Sequence, residues 1–154
     1  MATLSGYMIF EEATRYQYGI HFSGAVTTAK VLIQLVADAA VPLEIVEVGV
    51  DGQSDTADAM EILIARYSGK SSSGTSFTPV ELTEAGPAAS ADVGTGDTGV
   101  LFTTEGTSIA DILVRRNVSV QAGGGFFWSR AMGPSRIYVP SAGIIGVKSN
   151  ITIT

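Results

Sequence analysis

The first place where this chain could do chemistry is Gly94-x-Gly96-x-x-Gly99 in DVGTGDTGVLF (92 to 102), which has the glycine spacing of a dinucleotide-binding loop. That loop works only between a strand and a helix, because the helix N-terminus holds the pyrophosphate. Here Pro87 and small residues precede the glycines, and the β-branched and aromatic run VLFTT (100 to 104) follows. The three glycines are therefore read as turn residues. Gly123, Gly124 and Gly125 form a second glycine run, but no Lys-Ser or Lys-Thr follows to serve a phosphate.

Nucleophilic chemistry fares no better. His21 is the single histidine and there is no cysteine, so thiol nucleophiles and thiolate metal sites are excluded. No Gly-x-Ser-x-Gly elbow supplies a serine. In YGIHFSG, His21 alternates with Ile20 and Phe22 as a strand residue would, and a structural role is expected. Asp51, Asp55 and Asp58 share a turn-rich segment without the spacing of an EF-hand, and Ile62 stands where the bidentate glutamate belongs. They are read as solvated turn residues, with weak calcium binding by an irregular loop as the alternative. Glu11-Glu12 and the pair Glu81 and Glu84 are surface charges on the simplest reading, and Asn117-Val118-Ser119 is a glycosylation sequon placed mid-strand. The expectation is no catalytic residue, no metal and no cofactor.

A chain of 154 residues is the size of one domain. Apolar residues make up 45% and charged ones only 16%, so some apolar surface is expected to be hidden against a partner. A net charge of −6 argues against a protein that coats nucleic acid, and no run of about eighteen apolar residues marks a membrane helix. The opening MATLSGYMIFEEATRYQYG lacks the basic leader and long apolar run of a signal peptide.

The elements that must position any site are strands. Short runs rich in Val, Ile and Thr alternate with Gly, Ser, Asp and Pro clusters: AKVLIQLVA, PLEIVEVGV, MEILIARYS, DILVRRNVSVQA, GFFWSRA, SRIYVPS and GIIGVKSNITIT. In the first, alternation puts Val31, Ile33 and Leu35 on one face and Lys30, Leu32 and Gln34 on the other. DTADAMEILIARY also has good helix formers, but its isoleucines and its place after a turn favour a strand. About eight to ten short antiparallel strands predict an all-β fold, a jelly-roll-like β-sandwich or a small barrel. Residues 69 to 99 are mostly turn formers around one short strand, TPVEL, and form a candidate contact region. Residues 1 to 20 carry Tyr7, Phe10, Tyr16 and Tyr18 and are expected to be an N-terminal arm ordered by packing, with residues 21 to 154 as the sandwich domain. Adjacent residues of a strand face opposite ways, so Phe126, Phe127 and Trp128 cannot all enter the core.

The order of AKVLIQLVADAAVPLEIVEVGVDGQSDTADAMEILIARYSG, GTSFTPVELTEAGPAA, GGGFFW and SRIYVPSAGIIGVKSN resembles capsid decoration, or cement, proteins of tailed bacteriophages. The likeness spans roughly residues 25 to 150. It implies a jelly-roll sandwich on the outer surface of a virion capsid, holding major capsid protein subunits together as a homo-oligomer, with a homotrimer favoured and a dimer possible. Neither nucleic acid nor membrane is an implied partner. In that role Tyr7, Phe10, Tyr16, Tyr18, Phe126, Phe127 and Trp128 are the expected interface anchors, with Arg115, Arg116, Arg130 and Arg136 supplying polar pairing. The competing readings are a phage tail or fibre component, a carbohydrate- or receptor-binding module on the same sandwich, and a cupin-type enzyme. The last would need several histidines for its metal.

Overall fold

The structure, a computed structural model, describes residues 3–12, 15–23, 30–53, 59–70, 75–77, 80–82, 92–95, 109–119, 124–132 and 136–152. These residues form twelve strands and one short 3-10 turn, Arg130–Met132. The strands are β1 Thr3–Glu11, β2 Arg15–Ser23, β3 Lys30–Val36, β4 Leu43–Gln53, β5 Ala59–Tyr67, β6 Thr75–Phe77, β7 Val80–Glu81, β8 Asp92–Thr95, β9 Ile109–Ser119, β10 Gly125–Ser129, β11 Ile137–Val139 and β12 Ile144–Thr152. They build two antiparallel six-stranded sheets. Sheet A runs β10-β4-β1-β2-β7, with β11 following β10 along β4, and sheet B runs β6-β8-β3-β12-β5-β9. The all-β sandwich expected from the strand pattern is present.

One core lies between the sheets. Met8 and Phe10 of β1, Ile45, Val48 and Val50 of β4, and Phe126 of β10 meet Ile33 and Leu35 of β3, Ile62 and Ile64 of β5, and Ile145 and Val147 of β12. The segment with helix-forming residues is a strand, because Met60, Ile62 and Ile64 share the core face while Leu63, Ala65 and Tyr67 fill the other. A strand buried on both faces reads as a continuous apolar run rather than a clean alternation.

The expected arm is not an arm. Thr3–Glu11 and Arg15–Ser23 are the antiparallel pair β1 and β2, and β1 lies inside sheet A between β4 and β2. Its aromatics are there because the strand needs large residues on one face for the core and on the other for the sheet surface. A second correction concerns β3. Val147 pairs Ile33 and Lys148 pairs Val31, so Leu32 is an extra residue in the ladder. This β-bulge turns Leu32 into the main core with Ile33 and leaves Val31 in a small outer cluster with Ala65 and Tyr67. Gly94 lies within β8, opposite Gln34 and Ser76, and is a strand residue rather than a turn residue. Gly96, Gly99, Asp55 and Asp58 lie outside the described residues.

The VPSAG stretch closes β11 onto β12 with a tight turn. Gly143 N–H donates to Pro140 O at 2.8 Å, and Ala142 takes φ 59°. A left-handed alanine is held because its N–H donates to Asp38 O at 2.9 Å.

Candidate functional site

Strand β4 carries the candidate site. Its one edge pairs β1, and along the other lie first β10, from Gly125 opposite Asp51 to Ser129 opposite Glu47, and then β11, from Ile137 opposite Ile45 to Val139 opposite Leu43. The 3-10 turn Arg130–Met132 directly follows β10. Three large apolar side chains are exposed along this edge: Phe127 at 51%, Met132 at 66% and Tyr138 at 52%. Alternation dictates two of them, since Phe126 is 5% exposed in the core and Phe127 must then face out, as Tyr138 does between buried Ile137 and Val139.

Charges flank this edge. Glu11 and Glu44 are directly opposite each other across β1 and β4, an unfavourable pair of like charges. Arg130 sits between them, with its guanidinium 3.4 Å from Glu11 Oε2 and 3.4 Å from Glu44 Oε1. Arg136 adds a contact to Glu44 Oε2 at 3.6 Å. Two rows further along, past Ile9 and Glu47, the Tyr7 ring covers Gly49, and a Cβ there would run into it. The Tyr7 hydroxyl donates to Glu47 Oε1. Asp51 lies over the backbone of β10, its carboxylate where a Cβ of Gly125 would be, so a side chain there would have to push the Asp51 carboxylate aside.

Burial, the hydrogen bond to Glu47 and the negative charges of Glu47 and Asp51 push the Tyr7 phenol from 10.0 up to about 12. Of the five tyrosines, Tyr7 is expected to ionise near pH 12 by ultraviolet phenolate absorbance, and Glu47→Gln is expected to bring it back towards 10. Because its folded value is the higher one, the stability it contributes is present below pH 10 and is lost as pH rises through 12. Ionisation of Tyr7 at its ordinary value would sink this assignment.

The other expected anchors divide. Phe10 is fully buried and Phe126 nearly so; both fill the sandwich and present nothing to a partner, which corrects their expected role. Trp128 is partly buried and packs against the core from β10. Tyr16 and Tyr18 lie in β2 opposite Phe10 and Met8, and their side chains are outside the described set. Tyr7 points to the outer face of sheet A, where it engages Glu47. Arg115 and Arg116 are exposed on β9, the edge strand of sheet B beside β10, and line an open groove with Phe127, Trp128 and Met132; Arg115 lies 3.7 Å from Glu61, and Arg116 donates to Arg115 O at 3.1 Å. Arg130 and Arg136 neutralise carboxylates of their own sheet.

Alternation had no means of finding Glu44 and Glu47 together. They are three residues apart, and share a face only because Val46 is an extra residue between the Phe10-Ile45 and Ile9-Glu47 pairs. Among the described residues no group of three His, Cys, Asp or Glu is placed to hold a metal. Comparison of the chain with protein-family models, with curated proteins and with solved structures finds no match in any of the three.

Proposed function

We propose that this chain is a structural virion protein that decorates a bacteriophage capsid and bridges major capsid protein subunits from the outside. The observation that carries the reading is the exposed edge of sheet A, where Phe127 on β10 and Tyr138 on β11 face out, with Met132 exposed on the 3-10 turn that follows β10. Large apolar side chains held on strands lose little entropy when covered, which is what a protein contact surface needs. The resemblance of the segment order to cement proteins names the class of partner. A jelly-roll path for the strands and attachment to the outer shell surface belong to the same proposal.

The test is co-sedimentation of the purified chain with shells assembled from the major capsid protein of the same virus. Binding is expected to saturate, and Tyr138→Ala with Arg136→Glu is expected to weaken it at least about tenfold, as for loss of one anchor worth 1 to 2 kcal/mol. Recovery of the chain in the supernatant at every concentration would contradict the proposal. The second reading, a glycan-binding module, rests on the exposed Phe127 ring beside Asp51, an aromatic platform next to a carboxylate. Retention on a glycan array together with indifference to shells would favour it.

A further inference from the structure

On one side of the sandwich, β10 ends sheet A and β9 ends sheet B. An open groove of about 390 Å³ lies between them, at the small end of the range of ligand sites. Its β10 bank carries Phe127 and Trp128, continued by Met132 of the 3-10 turn, and its β9 bank carries Val114, Arg115 and Arg116. Arg116 pairs Ile62 and Val114 pairs Ile64, so the register sets this arginine in the row of β9 that faces the core, between Val114 and Val118. Trp128 stands in the matching row of β10, opposite the core residue Val48. The groove is thus the mouth of the sandwich, with a guanidinium in a row that is otherwise apolar.

An inward charge on an edge strand discourages strand addition, and a guard of that kind needs no groove. Charge balance gives Arg116 a second use. The chain carries −6 overall, yet two arginines and no carboxylate line the groove. Arg115 is partly answered by Glu61, 3.7 Å away and outside the lining. Arg116 meets no carboxylate among the described residues; its guanidinium donates to Arg115 O at 3.1 Å, which holds it in place and leaves its other N–H donors for a ligand. A planar guanidinium is matched by a carboxylate, held through two parallel hydrogen bonds. The net charge disfavours a polyanion, but not a segment with one or two carboxylates. An extended chain lying along the groove sends successive side chains to opposite banks, acidic ones to β9 and apolar ones to Trp128 and Met132. We propose that the groove receives an extended segment of a partner protein in which acidic and apolar residues alternate, with a carboxylate on Arg116 and an apolar side chain against Trp128. Under the clamp reading that partner is the shell subunit, and only this identification rests on that reading.

Trp128 is the single tryptophan of the chain, so its fluorescence reports on the groove. The probes are two end-blocked six-residue peptides, one alternating Glu and Leu and the other alternating Gln and Leu, each titrated into the full chain with no shell present. The acidic peptide is expected to shift the Trp128 emission and to saturate, and its neutral twin to bind at least about tenfold more weakly. Added salt is expected to weaken the acidic peptide alone. Arg116→Glu is expected to weaken the acidic peptide at least about tenfold and Arg116→Lys by less, with the melting temperature of both variants close to that of the parent chain, because Arg116 is exposed. No response of Trp128 to the acidic peptide, equal affinity for the two peptides, or indifference to Arg116→Glu would each overturn the proposal. The two peptides on the unaltered chain decide the matter even if a variant fails to fold. Peptide binding without shell co-sedimentation would refute the clamp alone, and shell binding with both peptides ignored would refute the groove alone.

Discussion

Deletion of residues 1 to 20 is expected to leave a chain that does not fold. The cut removes all of β1 and most of β2. Strand β4 loses its partner from Thr3 to Glu11, and β7 loses the strand that joins it to sheet A. Met8 and Phe10 leave the core with it, two of the largest fully buried side chains in the molecule. Losing two such residues costs about 5 to 9 kcal/mol, comparable with the whole stability of a domain, before any ladder hydrogen bond is counted. Thermal melting followed by circular dichroism should show a cooperative transition for the full chain and none for the truncated one. A truncated chain that stays soluble and melts cooperatively would restore the arm and dismiss the strand pair.

The second large effect separates two phenylalanines that look alike as letters. Phe10 is fully buried between the sheets, and Phe127 is half exposed on the outer face. Phe10→Ala is expected to cost about 3 to 5 kcal/mol, lowering the melting temperature by on the order of 10 °C in a chain of this size. Phe127→Ala is expected to move stability by about 0.5 kcal/mol or less, because its ring already faces water. Its effect belongs to association instead. Equal destabilisation by both variants would mean that the exposed edge is part of the core.

Much of the sandwich is legible in the chain because its ladders obey the period of two. In β10 and β11 the pattern that sends Phe126, Ile137 and Val139 inward also sends Phe127 and Tyr138 outward, and no tertiary knowledge is needed. The errors collect where the period slips by one. Leu32 turns inward and Val46 brings Glu44 onto the face of Glu47 because each strand carries one residue more than its partner, and a bulge leaves no mark in the letters. The misplaced arm has a different cause. Tyr7, Met8, Ile9 and Phe10 are all large, so no alternation announces a strand, although Met8 and Phe10 face the core while Tyr7 serves Glu47. The candidate site is less legible still. Arg130 is visible as a cation, but its place between Glu11 and Glu44 depends on two strands and the 3-10 turn meeting.

If the edge of sheet A holds shell subunits together, as proposed, each shell binds a fixed number of copies. Co-sedimentation with assembled shells is expected to saturate at a fixed ratio to the major capsid protein, and shells so loaded are expected to resist disassembly to a higher temperature than bare ones. Binding that never saturates, or saturation with no change in the temperature of disassembly, would contradict a clamp.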